Sequence, residues 1–170
     1  VIIGGGPVGA IFALLNKSQA SKIVLLESNS QIQTKRDKRA LALSNGTKFI
    51  LEKIDVWKDL EGRLTPIKTI HTSQKGTFGR SLMKAEDFDQ QALGYIISYG
   101  ELIQALQKKI LNSKNIEALY SSEVISFVSS GKKQKIIFKY KSQEKSLNCD
   151  LLVLADGGGA EINGINITRT

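Results

Sequence analysis

A run of glycines near the start of the chain constrains its fold more than any other feature. Gly4, Gly6 and Gly9 have the spacing Gly-x-Gly-x-x-Gly. The run follows the apolar residues 1–3 and leads into 10–15, a second apolar segment of helix-favouring residues. A strand, a glycine turn and a helix in this order predict the first half of a βαβ unit.

The second half of this unit ends in an acidic residue. Residues 23–26 form an apolar, partly β-branched run, and Glu27 follows it, 18 residues after Gly9. In a dinucleotide-binding unit, an acid at this position accepts hydrogen bonds from the hydroxyls of an adenosine ribose. It also disfavours a 2′-phosphate, so NADP is not expected in this site. The motif alone does not separate FAD from NAD, and the alternative is a glycine turn of an unrelated α/β protein with a surface acid.

Each glycine has its own physical task in this interpretation. Gly4 permits the tight turn from strand to helix, Gly6 lets the backbone approach a pyrophosphate, and Gly9 lets the helix pack closely on the sheet. The free amides and the dipole at the start of the helix favour a diphosphate group. The turn therefore predicts a dinucleotide site.

The rest of the chain predicts more strands than helices. We predict a loop over 28–38 and helices over 40–54 and 100–111. The predicted strands are 67–72, 77–83, 93–98, 116–119, 124–128, 136–140 and 151–154, with turns at Gln74-Lys75-Gly76 and Gly131-Lys132-Lys133. This order predicts an α/β fold, a Rossmann-like nucleotide-binding layer interrupted by a β-rich piece.

Composition limits the functional classes to which the protein could belong. The net charge of +8 fits either a surface for nucleic acid or anionic membranes, or a solvated lysine-rich surface. We favour the solvated surface and expect no nucleic-acid partner, because no aromatic or nucleic-acid motif is interleaved with the charges. The single Cys149 excludes an internal disulfide or a cysteine metal cluster, and no metal is expected. No apolar run approaches the ~20 residues of a membrane span.

The two ends of the sequence suggest a longer protein. Val1 begins what reads as the tail of a strand, and the chain closes at Thr170 in a polar stretch. We therefore expect the chain to be the amino-terminal part of a larger protein.

A second signature lies far downstream. The apolar residues 151–154 lead into Ala155-Asp156-Gly157. This resembles the Asp-Gly fingerprint of the aromatic-hydroxylase class of flavoprotein monooxygenases, in which the first glycine motif, the Asp-Gly pair and a later Gly-Asp motif surround FAD. The resemblance implies that FAD occupies the glycine turn.

The middle of the chain resembles a smaller group within this class. It is similar to the ubiquinone-biosynthesis hydroxylases in five segments that occur in the family's order, namely 37–43, 56–57, 70–79, 85–88 and 92–97. The first of these resembles the segment whose arginine, here Arg39, leads into the helix near the flavin. The family implies that NAD(P)H reduces FAD and that one atom of O₂ is transferred to an electron-rich aromatic ring.

The resemblance also implies the domains and partners. Residues 1–64 and 99–170 would form the FAD-binding domain, incomplete at its carboxyl end, and 65–98 would contribute strands to the substrate-binding domain. The substrate would be a polyprenylated phenol, and other ubiquinone-biosynthesis proteins would be partners. Such an enzyme would be cytoplasmic and peripheral to the inner membrane of a bacterium. Another FAD oxidoreductase of this fold, such as a reductase or halogenase, and a non-catalytic FAD-binding module remain the alternatives.

The predicted cofactor-binding residues are Gly4, Gly6, Pro7, Val8, Gly9, Glu27, Ser28, Arg39, Val124, Asp156 and Gly157. Arg39 is either a planar donor to the phosphates or the flavin edge, or a surface arginine. Val124 either frames the adenine through its backbone or belongs to the core, and Asp156 would bond the ribityl or phosphate side of the cofactor.

No residue is predicted to be catalytic, because the cofactor performs the chemistry in this family. His71 is interpreted as structural rather than as a proton shuttle, since no partner is evident. Glu86 and Asp87 are adjacent and are interpreted as a solvated turn rather than as a paired-carboxylate site.

Overall fold

The computed structural model describes residues 1–76, 79–130, 133–158 and 162–163. In chain order, its helices and strands are β1 (Ile2–Ile3), α1 (Pro7–Leu15), β2 (Ile23–Glu27), α2 (Gln31–Lys35), β3 (Ala40–Ser44), α3 (Asn45–Lys53), α4 (Trp57–Leu60), β4 (Thr65–Ile67), β5 (Thr69–Ser73), β6 (Arg80–Lys84), a 3₁₀ helix (Ala85–Phe88), β7 (Gly94–Ser98), α5 (Tyr99–Leu111), β8 (Ile116–Tyr120), β9 (Ser122–Ser130), β10 (Lys133–Tyr140), β11 (Gln143–Cys149) and β12 (Val153–Leu154). The chain divides into two compact units, Val1–Arg36 with Leu106–Thr170, and Asp37–Ala105.

A four-stranded parallel sheet in the order β12-β1-β2-β8 is the centre of the first unit. Every residue of β1 and β2 is buried. A parallel strand covered on both faces needs apolar side chains throughout, which is why these two runs do not alternate with polar residues. Helix α1 packs on the sheet with Ala10, Ala13 and Leu14, which lie on one side of the helix.

An antiparallel sheet in the order β11-β10-β9 completes the first unit. Its Ile136 and Phe138 form a buried cluster with Val24 and Leu26 of β2. Because side chains alternate along a strand, β2 turns these two residues to the antiparallel sheet and its other residues to the opposite face. The central strand β2 is therefore enclosed by the chain itself.

The second unit contains an antiparallel sheet in the order β3-β7-β4 and the hairpin β5–β6. Leu51, Val56 and Leu60 are fully buried in it. The indole of Trp57 meets the ring of Tyr95 edge to face, with 4.9 Å between the ring centroids. Such aromatic pairs contribute roughly 0.5–1.5 kcal/mol beyond the area they bury.

Most of the predicted elements are confirmed, together with the α/β fold class. The βαβ unit, the helix near 100–111 and the strands near 93–98, 116–119, 124–128 and 136–140 are all present. These segments were predictable because their apolar periodicity matches the faces that the structure buries.

The predicted helix over 40–54 is wrong in its first third. Residues 40–44 form strand β3, which pairs with β7 along its whole length. The sequence Ala-Leu-Ala-Leu-Ser alternates with period two, but its alanines and leucines also favour helix. Helix α3 begins only after Ser44, whose hydroxyl accepts a hydrogen bond from the amide of Thr47 at 3.1 Å.

The predicted loop over 28–38 is also wrong in part, because it contains helix α2. Ser30 and Gln33 form a capping box. The hydroxyl of Ser30 accepts from the Gln33 amide at 3.3 Å, and the Gln33 side chain accepts from the Ser30 amide at 3.0 Å. These reciprocal bonds supply partners for backbone groups in a segment without an apolar stripe.

Two strand predictions differ in extent, and one strand was not predicted. The strand predicted over 67–72 is divided between β4 and β5, and the carbonyl of Lys68 at the break accepts from the Ala85 amide at 2.9 Å. The strand predicted over 151–154 is limited to β12. The polar strand β11 was not predicted, and it pairs residue by residue with β10.

Two predicted features reach outside the described residues. Thr77 lies outside them, so the strand predicted over 77–83 is described only as β6. Gly131 and Lys132 of the predicted turn also lie outside, while the flanking strands β9 and β10 pair antiparallel.

The predicted division into an FAD-binding and a substrate-binding domain concerns the complete protein. It stays a prediction, separate from the two compact units described above. Within the described part of the chain, no helix combines the length and apolarity needed to cross a membrane.

The buried cluster yields a stability prediction. Phe138 is 1% exposed, so Phe138→Ala removes a fully packed ring and should lower the free energy of unfolding by about 3–5 kcal/mol. Phe49 on α3 is 62% exposed, and Phe49→Ala should change it by no more than about 0.5 kcal/mol. Urea unfolding measures both, and equal effects would contradict the assigned packing.

Candidate cofactor site

Three predicted segments meet at the carboxyl edge of the parallel sheet. The glycine turn follows β1, Glu27 ends β2, and Asp156 follows β12. The sheet order places β12 and β2 on opposite sides of β1, so the order in which the chain adds parallel strands reverses at β1. In open α/β sheets, ligands bind outside the carboxyl ends of the strands at this reversal.

The glycine turn is built on two close backbone approaches. Gly4 has φ +104°, and a β-carbon there would run into the carbonyl of Ala155. A β-carbon on Gly9 would run into the carbonyl of Gly4 and lie 3.2 Å from Cγ2 of Ile2. Any side chain at either position would push the turn away from the sheet, so these two glycines fix where helix α1 begins.

The start of helix α1 presents free amides. Gly6 is the N-cap, and Pro7 at the first helical position has no amide hydrogen. Within the described part of the chain, no protein group accepts from the amides of Gly6, Val8 or Gly9. The first turn of α1 carries no acidic side chain. These donors and the positive end of the helix dipole suit a diphosphate.

Glu27 is buried, with 7% of its surface exposed, and its carboxylate joins the turn to the end of β2. Oε2 accepts from the amide of Gly5 at 2.7 Å. Oε1 accepts from the backbone amide of Asn29 at 2.8 Å and from its side-chain amide at 2.9 Å. Ser28 is exposed, and its hydroxyl lies 3.5 Å from Oε1. The charge is thus held beside the glycine turn, as a ribose site requires.

Tyr120 lies opposite Glu27 in the sheet, at the end of β8. Burial, and to a smaller extent the negative charge of Glu27, raise the pKa of the Tyr120 phenol to about 12, against the opposing effect of a hydrogen bond with Gln107. The phenol therefore stays neutral and does not compete with Glu27 for positive partners.

The Asp-Gly segment lies beside the glycine turn. The amide of Ala155 donates to the carbonyl of Ile3 at 2.7 Å, which continues the parallel pairing past β12. Asp156 is half-buried, and its Oδ1 accepts from the Gly158 amide at 3.1 Å. Gly157 and Gly158 both have positive φ and turn the chain there. Asp156 is therefore held at the same sheet edge as Gly4.

Two further predicted residues, Arg39 and Val124, are described by the contacts that they make within their own units. Arg39 belongs to the second unit, where its guanidinium pairs with Asp37 at 2.6 Å and lies 4.9 Å from the ring centroid of Tyr99. The hydrogen bonds from the Arg39 side chain and backbone hold the pKa of Asp37 below its usual value. Val124 packs against the buried cluster of Val24 and Phe138. Their predicted cofactor contacts stay predictions.

The other polar candidates of the sequence lie in the second unit. His71 is exposed on β5, opposite Leu82. Glu86 and Asp87 are exposed in the 3₁₀ helix, and both contact Lys84, through its ammonium and its amide respectively. Within the described residues, no group of three or more His, Cys, Asp or Glu side chains could hold a metal.

Sequence reasoning missed Gly5 and Asn29. Gly5 is the unassigned residue of the motif, yet a β-carbon there would lie 2.8 Å from Cβ of Glu27 and 2.9 Å from Cδ2 of Leu25. The available signal was a third consecutive glycine where the motif requires none. Asn29 had no sequence signal beyond its position two residues after the acid.

The family model that matches the chain is described as an FAD binding domain, and it covers residues 1–164. Among curated proteins, an uncharacterized protein of Synechocystis sp. is 28% identical over 156 residues. That match covers 92% of this chain and 38% of the relative. The chain therefore spans well under half the length of this relative.

Solved structures share the fold. The p-nitrophenol 4-monooxygenase PnpA from Pseudomonas putida DLL-E4 matches with a TM-score of 0.74 and 18% identity, over 93% of this chain and 40% of that one. The flavin-dependent monooxygenase PieE, solved in complex with FAD and substrate, matches with a TM-score of 0.75 and 15% identity, over 91% of this chain and 29% of that one.

The match to the family model begins in β1 and runs past the Asp-Gly segment. It therefore includes every part of the sheet edge described above, and FAD is the cofactor of the domain that contains this edge. The chain belongs to the FAD-binding domain family and has the fold of the FAD-dependent monooxygenases of the aromatic-hydroxylase type.

Proposed function

We propose that the complete protein is an FAD-dependent monooxygenase that hydroxylates the aromatic ring of a polyprenylated phenol, a precursor of ubiquinone. The observation that carries the proposal is the meeting of the glycine turn, Glu27 and Asp156 at one sheet edge within a matched FAD-binding domain. NAD(P)H is the proposed reductant and O₂ the source of the transferred oxygen.

Different residues of the first unit bind different parts of the cofactor. The amides at the start of α1 bind the pyrophosphate, and Glu27 binds the hydroxyls of the adenosine ribose. Asp156 bonds the ribityl or phosphate side. When bound, the flavin supplies the two-electron and O₂ chemistry, so the task of these side chains is to hold it and to exclude water.

The substrate class rests on the middle of the chain. Of the segments that resemble ubiquinone-biosynthesis hydroxylases, 37–43 reaches into β3, 56–57 begins α4, and the described part of 70–79 includes most of β5. Residues 85–88 form the 3₁₀ helix, and 92–97 include most of β7. The group that they resemble most is the 2-octaprenyl-6-methoxyphenol hydroxylases. A prenylated substrate fits a cytoplasmic enzyme at the inner face of a bacterial membrane, in company with other ubiquinone-biosynthesis proteins.

The activity is tested on the complete, FAD-loaded protein. A polyprenylated phenol should stimulate NAD(P)H oxidation and yield a hydroxylated product that carries isotope label from O₂. Mass spectrometry of the product measures the label. Oxidation of NAD(P)H without a labelled product would contradict the proposal and indicate a reductase. A chlorinated or brominated product formed in the presence of halide would identify a halogenase.

The close approach of Gly9 to the turn gives a second test. Gly9→Ala introduces a β-carbon against the carbonyl of Gly4, so helix α1 and its amides must shift. We expect flavin affinity to fall about tenfold or more, since overpacking typically costs ~1–3 kcal/mol. Gly46→Ala is the control, because its β-carbon would lie 3.6 Å from the Ser44 hydroxyl oxygen, in ordinary contact. Equal flavin content in both variants would refute the assigned cradle.

Glu27 gives a third test, with a change that keeps the shape of the side chain. Glu27→Gln removes the charge that accepts the ribose hydroxyls, and FAD affinity should fall roughly tenfold to a hundredfold, the effect of ~1.5–3 kcal/mol for bonds to a charged group. Glu144→Gln makes the same chemical change at an exposed position of β11 and should leave affinity unchanged. Fluorescence titration of the flavin-free protein with FAD measures both affinities. An unchanged FAD affinity in the Glu27→Gln variant would show that Glu27 is not part of the site.

A further inference from the structure

The two oxygens of the Glu27 carboxylate are used unequally. Oε1 accepts two short hydrogen bonds, both from Asn29, whereas Oε2 accepts one, from the amide of Gly5. A carboxylate oxygen offers about two lone pairs to donors. The described protein groups therefore fill Oε1 and leave Oε2 with a free position.

We propose that Asn29 is a positioning residue for recognition of the adenosine ribose. Its side-chain amide occupies Oε1, so that Oε2 accepts a ribose hydroxyl while it also holds the Gly5 amide. A carboxylate only accepts hydrogen bonds, so the NH₂ of Asn29 is the group that must face it. The inference rests on the proposed role of Glu27 and adds a residue that acts through it.

Asn29 is itself held in place. Its carbonyl accepts from the amide of Ser121 at 3.1 Å, at the corner between β8 and β9. The next residue, Ser30, caps helix α2. The Asn29 backbone is thus fixed on both sides, and little conformational freedom must be lost when its side chain bonds Glu27.

The carboxylate of Glu27 bonds the glycine turn through one oxygen and Asn29 through the other. Glu27 is almost fully buried, so hydrogen bonds to its charge are stronger than they would be in water. Loss of the Asn29 side chain removes a bond from Oε1 and leaves the Gly5 bond to Oε2 in place, so the change should act on ribose recognition and not on the glycine turn.

The test compares two ligands on the complete protein after its flavin is removed. ADP carries both ribose hydroxyls, and 2′,3′-dideoxy-ADP carries neither. Asn29→Ala removes the side-chain donor and keeps the backbone donor. We expect this change to lower the affinity for ADP about threefold to tenfold, as the loss of one hydrogen bond predicts, and to leave the affinity for dideoxy-ADP unchanged. Isothermal titration calorimetry measures both affinities.

Two variants complete the design. Asn29→Ser keeps a shorter donor, so its affinity for ADP should lie between those of wild type and the alanine variant. It replaces the alanine variant if that protein does not fold. Asn148→Ala alters an exposed asparagine of β11 and should affect neither ligand. A merely structural role for Asn29 predicts equal weakening of both ligands, which would overturn the inference, as would no change for either ligand.

The same data separate this inference from the function on which it rests. If wild type binds FAD and prefers ADP to dideoxy-ADP, and Asn29→Ala keeps that preference, only the role of Asn29 fails. If wild type binds no FAD, or shows no preference between the two ligands, the proposed role of Glu27 fails and the inference fails with it.

Discussion

The close approach of Gly9 to the carbonyl of Gly4 is the contact on which the rest of the site depends. It brings the start of helix α1 against the end of β1, which places the free amides of that helix at the edge of the sheet. Gly4 in turn packs against the carbonyl of Ala155, so the Asp-Gly segment is held at the same point. Two segments distant in sequence, the glycine turn and the Asp-Gly segment, are thereby held together by contacts between backbone atoms.

Burial of β2 provides the second constraint. Enclosure between helix α1 and the antiparallel sheet fixes the register of the strand, because a slip by one residue would exchange its two buried faces. That register decides that Glu27 is the residue at the end of the strand. Its carboxylate is then satisfied by Gly5 and Asn29, without which burial of a charge would be strongly unfavourable. The packing of the core and the chemistry of the site are therefore set by the same strand.

The strands and the turn that form the candidate site were more predictable from sequence than other parts of the fold. The strands β1 and β2 are recognisable because complete burial demands unbroken apolar runs, and the glycines because close approach excludes any side chain. Strand β3 was mistaken for helix because alanine and leucine favour helix and only pairing with β7 decides otherwise. Helix α2 and strand β11 depend on a capping box and on a partner strand, neither of which leaves an apolar periodicity. Asn29 was missed because its role arises from a contact with Glu27 and not from a motif.

The structure also separates two kinds of requirement within one motif. Gly4, Gly5 and Gly9 are each opposed by protein atoms at distances that no β-carbon tolerates, so the fold demands glycine there whether or not a ligand is bound. The amides of Gly6 and Val8 have no protein acceptor among the described residues and stay available to a ligand. A substitution at Gly4, Gly5 or Gly9 should therefore disturb the protein even before a cofactor binds. A glycine motif conventionally assigned to a ligand is, in this chain, largely a packing motif that leaves a few donors free for the ligand.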